Sequence, residues 1–346
     1  MNGTQDHTAS GCPCYGDQPL IGADANGFYI STNEFSIQGG PFVLNRAQIY
    51  AMSKKQLAQG TLPTVVHLSG LSAPNGGRAF SVQPAASPDL EEAEDGGTEY
   101  FLSSFNTRLA TNNQLTVWAL SHTNSLDRAN PKLSLTNVVI DSEMYSVPPD
   151  AAQKTGPIPL GDLLGEPEEL VATNEHRMQQ VVFADGKLFS VVTTGIQQGQ
   201  NLVAGIAFFV VSPKFDDGRL SAKVKKQGYV SVLNNNVFYP SVGVTHDGKG
   251  VIAFSLAGPD FFPSAAFASF DENHGAGSIQ LSAAGVAPDD GFSGYVAFGG
   301  FGSGRWGDYS AAVADGDTVW FANEYIPGPR TVLANWGTFI GSMRVD

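Results

Sequence analysis

Cysteine is almost missing from this chain. Only Cys12 and Cys14 occur, one residue apart around Pro13. Two thiols are too few for a metal cage, and at that spacing they are poorly placed for a relaxed bridge. A strained Cys12–Cys14 bridge, two free thiols and pairing with another chain all stay open, and no cysteine framework staples the rest. Charge is scarce as well, at 15% of residues, and positive charge scarcest, with 19 Lys and Arg against 33 Asp and Glu and a formal net charge of −14. Nucleic acid and anionic membrane surfaces are recognised by clustered cations, so this balance argues against both.

Other absences narrow the field further. No stretch approaches the roughly eighteen apolar residues of a membrane span. The amino terminus, MNGTQDHTASG, has no basic flank followed by an apolar segment, so no signal peptide is visible. Its polar opening reads as the start of a mature exported chain, so a secreted, periplasmic or cell-surface protein is expected. The six histidines are scattered without ligand spacing, and there is no G-x-S-x-G, H-E-x-x-H or phosphate loop. GGFGSGR lacks the strand-then-helix setting of a dinucleotide site. The acidic tract from Pro88 to Gly97 lacks the alternating carboxylates and distal Glu of a calcium loop. No cofactor or metal is therefore expected, with calcium over an acidic channel mouth left open.

What the chain does have is glycine (40 residues), proline (20) and recurrent hairpins. GRWGDYSAAVADGDTVWFANEY, from Gly304 to Tyr325, reads as strand, Asp-Gly turn, strand. Residues that tolerate positive φ are needed for a tight turn whose twist matches its strands. The same phrase recurs as IGADANGFYISTNEF around Asp24, VVFADGKLFSVVTT around Asp185 and VGVTHDGKGVIAFSL around Asp247, with a looser version around Asp95. These turns are spaced by roughly sixty to ninety residues with about four strands in each interval.

That period predicts an all-β chain forming a β-propeller of five four-stranded blades, with six or seven left open. Residues 1–16 are expected to be an arm and 17–346 a single propeller domain. The last unit has three clear strands, so the arm is expected to supply its missing outer strand and close the ring. SKKQLAQG reads as a loop or single turn, and the connector from Tyr145 to Ala172 as an ordered excursion.

In a propeller the segments leading into each blade converge on one face. Here they carry Asp17, Gln83, Glu175, His176, Arg177, Tyr239, Arg305, Trp306 and Asp308. Glu34 and Glu324 end the second strands of the first and last hairpins, in the repeated phrases Asn33-Glu34-Phe35 and Asn323-Glu324-Tyr325. Equivalent positions in a repeat often carry equivalent structural duties. Read functionally, Glu34 or Glu324 is a general acid with Asp17 or Asp308 as its partner, and Glu175 is a further candidate. Arg177 and Arg305 suit a substrate carboxylate or sulfate. His176 is a candidate base, and Trp306, Tyr295, Phe298 and Phe301 offer aromatic faces to a sugar ring.

Gly304–Tyr325, together with DQPLIGADANGFYISTNEF and the closing NWGTFI, resembles exported bacterial β-propeller proteins of the broad sialidase-like group. The Asp-box pattern of that group, Ser-x-Asp-x-Gly-x-Thr-Trp, is met in part by AVADGDTVW from Ala312 to Trp320. Arg46, Arg177 and Arg305 are the candidates for an arginine triad. The resemblance implies the fold and export. The expected function is binding of a carbohydrate or polyanionic extracellular ligand at the channel face. Two alternatives stand beside it: a non-catalytic platform for protein partners, and a glycoside hydrolase or lyase working with a carboxylate pair.

Overall fold

The computed structural model describes residues 13–37, 44–73, 76–88, 97–105, 111–328 and 334–345. The chain is all-β. In order, the strands are β1 (Cys14–Ala23), β2 (Gly27–Ser36), β3 (Leu44–Ser53), β4 (Val66–Leu68), β5 (Gln83–Ala86), β6 (Thr98–Ser104), β7 (Thr111–Ser121), β8 (Ser134–Ser146), β9 (Leu170–Val171), β10 (Gln180–Ala184) and β11 (Lys187–Gln198). They continue as β12 (Asn201–Asp216), β13 (Arg219–Val230), β14 (Asn236–Val244), β15 (Lys249–Gly258), β16 (Phe261–Asp271), β17 (Gly275–Ala283), β18 (Ser303–Gly304), β19 (Ala311–Asp315), β20 (Thr318–Tyr325) and β21 (Gly337–Arg344). Two short helices interrupt them, α1 (Lys54–Ala58) and α2 (Pro159–Leu164).

Consecutive strands pair as meanders: β1 to β4, β5 to β8, β10 to β13 and β14 to β17, with β19 to β21 forming a three-stranded sheet among the described residues. The first strands β1, β5 and β10 lie side by side and parallel, through Ala23 opposite Ala86 and Val181 opposite Ala85. Hairpin-joined meanders whose first strands neighbour one another are the parts from which propeller blades are made. SKKQLAQG contains one helical turn, α1, capped by the Ser53 hydroxyl accepting from the Gln56 amide.

The turns form where the sequence supplies residues for them. Asp185 and Gly186 both have positive φ (+48° and +65°), the requirement of a two-residue turn between twisted strands. At the first hairpin the Asp24 carboxylate instead accepts from the Asn26 and Gly27 amides, at 2.8 and 2.6 Å. Residues 89–96, and with them the tip expected around Asp95, lie outside the described residues.

The structure corrects the expected extent of the arm. Cys14 to Gly16 already belong to β1, opposite Ser36 to Glu34, and the Pro13 carbonyl accepts from Ile37. Residues 1–12, Cys12 included, lie outside the described residues, as does any strand they add. Cys14 is disulfide-bonded, which removes the free-thiol alternative.

The chain forms two compact units. One comprises Met1–Met144, Gln180–Ser190 and Val210–Lys225, and the other Tyr145–Gln179, Val191–Phe209 and Lys226–Asp346. The first is cored by Tyr29, Ile49, Val82, Phe101, Trp118 and Leu120. In the second, β14 and all of β15 after Lys249 are buried, as strands covered on both faces must be. Strands β19 to β21 alternate instead, and place Ala312, Val319 and Phe321 against Val251 and Ala253. Burying a side chain such as Val319, Val251 or Phe321 contributes about 1.5–3 kcal/mol. The connector is an ordered excursion in this unit. It holds α2, and its strand β9 runs parallel to β18.

Candidate functional site

The second unit carries a cleft of about 540 Å³, within the range of small-ligand sites. Its floor is set by the hairpin β19–β20 and the segment from Arg305 to Ser310 that leads into it. Glu324, near the end of β20, turns its Oε2 to accept a 2.6 Å bond from the Gly307 amide. A Cβ on Gly307 would stand 2.5 Å from that oxygen, so any larger residue there would displace the end of the Glu324 side chain. Burial, against the lowering effect of the Gly307 amide and aided by the charges of Asp289 and Asp308, pushes the Glu324 carboxyl up to about 7. Arg305 and Asp308 form an exposed 3.5 Å pair at the rim, and such a pair adds little stability.

Exposed aromatic rings border this floor: Trp336 (58% exposed), Tyr309 (47%) and Phe292 (43%). Trp336 is positioned by its buried neighbour Asn335, which accepts from the Asp290 amide at 3.3 Å and donates to the Pro288 carbonyl at 2.8 Å. Phe292 is held edge-on by Phe298.

A second polar group in the same unit lies within electrostatic reach of Asp308. Arg177 and Glu175 form a two-pronged ion pair, Nε to Oε1 and Nη2 to Oε2, the latter at 2.8 Å. Burial pulls the Arg177 pKa down, but the hydrogen bond and charge of Glu175 outweigh it and the net shift is upward. Tyr239 sits beside them at a bulge in β14 with φ +48°, unusual for a bulky residue. Burial, then the charge of Asp308, pushes its phenol well above the usual range.

Asp308, Arg305, Glu324, Glu175, Arg177 and Tyr239 thus share one unit. Other candidates do different work. The fork of Arg177 is filled by Glu175 rather than turned to a ligand. His176 is fully buried, its ring edge-on to Tyr145 at 4.9 Å, which suits packing and not proton transfer to a substrate. Trp306 forms part of the cleft wall, yet it is only 3% exposed and packs on Phe238, with its indole N–H donating to Ser255 at 3.0 Å. The Ser255 hydroxyl in turn donates to the Glu324 carbonyl at 3.2 Å. The Trp306 ring is therefore a support for Glu324 and not an open platform for sugar. Trp306→Phe is expected to cost about 1–2 kcal/mol in chemical denaturation, through the lost hydrogen bond and ring area. Tyr295 is buried too, donating to Asp290 at 2.5 Å.

Asp17 and Glu34 belong to the first unit. Asp17 is opposite Asn33 in the β1–β2 ladder, and Glu34 is the next residue along. Neighbouring strand positions face opposite sides. Asp17 is exposed, whereas Glu34 is 3% exposed and accepts from Gln48 at 2.9 Å. These two carboxylates do not converge. The repeated Asn-Glu phrase has also diverged, since Asn33 bonds Ser81 and Asn323 bonds Ser310. Arg46 donates to the Gly70 carbonyl and the Ser72 hydroxyl.

Sequence reading missed Trp336, Tyr309, Glu169, Asp289 and Asp290. The acids lie in GEPEEL and PDDGFSG, stretches whose glycine and proline read as mere connection.

No protein-family model and no curated protein matches the chain. Among solved structures, a Trypanosoma rangeli sialidase mutant displaying trans-sialidase activity is similar at TM-score 0.41 and 13% identity, over 89% of this chain and 43% of its own. A protein of unknown function from Dyadobacter fermentans DSM 18053 gives TM-score 0.41 and 13% identity, over 96% and 79%. A GH43 endo-arabinanase from Bacillus licheniformis gives 0.31 and 10%, over 75% and 70%. The chain spans less than half the length of the sialidase. Likenesses this distant carry no argument about activity or site.

Proposed function

We propose that this chain is a five-bladed β-propeller that binds carbohydrate in the cleft bounded by Glu324, Asp308 and Trp336. The observation that carries the reading is the meeting of exposed indole and phenol faces with a half-buried carboxyl in one cleft. Sugars present C–H faces to aromatic rings and hydroxyls to carboxylates, and few other ligand classes need both. The lining favours a neutral or cationic sugar over a polyanion. Arg305 is paired with Asp308 in a lining that also holds Glu324, and Arg177 is committed to Glu175.

A second reading, hydrolysis, is favoured by Glu324 itself. A carboxyl raised to about 7 keeps its proton near neutrality and can donate it to a leaving oxygen. Asp308, in the same cleft lining, would be the second carboxyl of the pair.

Binding to a panel of neutral, amino and acidic oligosaccharides, read by calorimetry and reducing-sugar release, tests both. Trp336→Ala is expected to weaken glycan binding by about tenfold or more, with stability changed by less than about 0.5 kcal/mol, as befits an exposed side chain. Undiminished binding by that variant, or no binding of any sugar at millimolar concentration, would sink the carbohydrate reading. Binding without product would leave Glu324 a ligand contact only.

A further inference from the structure

The exposed face of the sheet β19 to β21 continues the floor of the cleft. Along β20 the side chains alternate: Val319, Phe321 and Asn323 are buried, while Trp320 is exposed and Ala322 and Glu324 are half-buried. Alternate residues share one face of a strand, so Glu324, Ala322 and Trp320 point the same way. The register adds the neighbouring strands. Ala322 is opposite Ala311 on one side and Ile340 on the other, and Trp320 is opposite Val313 and Ser342. Two rows of side chains therefore cross this face. The first, through Ala311 and Ala322, already lines the cleft. At about 3.3 Å per residue, Trp320 lies about 13 Å from Glu324 along β20.

The second row repeats the chemistry of the cleft. Trp320 is 47% exposed, and Val313 (59%) and Ile340 (68%) extend its apolar surface. Alanine is depleted in strands, where β-branched and aromatic residues fit better. Yet Ala311 and Ala322 meet across the β19–β20 ladder, so only methyl groups rise between the Glu324 carboxyl and the Trp320 indole. The result is a smooth strip leading from the cleft, where Trp336 is exposed, to a second indole. Thr338 and Ser342, exposed on β21, border it with hydroxyls. The apolar surface stops at the next row, which holds Asp315, Thr318 and Arg344. Three large apolar side chains cannot supply the roughly 800 Å² that a stable protein interface takes from each partner. A flat strip edged by hydroxyls and open to the cleft suits a sugar chain.

We propose that the ligand is an oligosaccharide chain, and that it runs from the cleft over this face with Trp320 as its distal platform. The inference rests on the carbohydrate reading of the cleft and adds a second binding position to it. A chain long enough to cover the Trp320 ring removes further apolar surface from water, whereas a single sugar reaches only the cleft. Trp320 therefore sets a preference for ligand length, and the cleft residues set the preference for the sugar itself.

The test is calorimetry on the full chain with cello-, manno- and chito-oligosaccharides, comparing disaccharide with hexasaccharide. The hexasaccharide is expected to bind about tenfold or more tighter than the disaccharide of the same series. Trp320→Ala should erase that gain, the disaccharide affinity staying as in wild type, while Trp336→Ala weakens both. Trp320→Phe, which keeps a ring, should restore most of the gain. If Trp320→Ala fails to fold, the wild-type length dependence and Val313→Glu, which sets a charge beside the ring, decide in its place. Disaccharide binding with no gain for the hexasaccharide, or equal losses by Trp320→Ala at both lengths, overturns the distal position and leaves the cleft reading standing. No binding at either length removes both. Light scattering covers the rival occupant. A wild-type dimer that Trp320→Ala turns into a monomer assigns this face to a second copy of the chain and overturns the proposal.

Discussion

Replacing Glu324 with Gln is expected to raise stability at pH 8 while leaving it nearly unchanged at pH 4.5. The sign follows from linkage. In the folded chain the Glu324 carboxyl is raised from 4.5 to about 7, so the native state holds this proton more tightly than the unfolded chain does. That contribution is fully present below pH 4.5 and is lost as pH rises through 7. Above 7 the folded chain must carry a buried anion. A shift of this size corresponds to roughly 3 kcal/mol. Gln never ionises, and its amide oxygen can still accept from the Gly307 amide, so the variant escapes that loss. The readout is the wild-type minus variant difference in unfolding free energy at pH 4.5, 6, 7 and 8. A variant less stable than wild type at pH 8 would mean that Glu324 is held by partners favouring its anion. If the cleft is hydrolytic, the same substitution removes the general acid, and turnover falls by at least about a hundredfold while the fold strengthens. A merely structural glutamate would not give these opposite movements.

The hairpins were legible because their physics is local. Asp-Gly turns, period-two alternation and β-branched runs each act over a few residues, and all four-stranded intervals from β1 to β17 appear where the sequence reading places them. Much of the cleft was legible for a related reason: Arg305, Asp308 and Glu324 flank one such hairpin. What stayed hidden depends on contacts between residues far apart in sequence. Asn335 positions Trp336 through the backbone of Asp290 and Pro288, more than forty residues away. The Asp290 carboxylate satisfies the first amides of α2 across a separation of 130 residues. Glu34 and Glu324 occupy the same place in a repeated phrase, yet one is locked by Gln48 and the other lines a cleft. A repeat predicts backbone position, and the partner of each side chain comes from whichever segment packs beside it.

Gly250→Ala is expected to cost about 4 kcal/mol or more, enough to unfold much of a marginally stable chain. Gly250 lies in β15 opposite Val244, in a hairpin buried on both faces. A Cβ there would stand 1.9 Å from the Gly243 carbonyl oxygen and 2.7 Å from the Val244 Cα. Both obstacles are backbone, so no rotamer change relieves them and the β14–β15 ladder must separate. Two residues earlier, Gly248 gives the contrast. It has φ +75°, and its new Cβ would meet only the flexible end of Glu272, at 2.8 Å. Gly248→Ala should therefore cost only the left-handed penalty of about 1–2 kcal/mol. Urea denaturation of the two variants separates the glycine needed for turning from the glycine needed for close approach. Equal costs at 248 and 250 would mean that the strands part easily at this end, and that the second unit is held by its sheet faces rather than by the β14–β15 ladder.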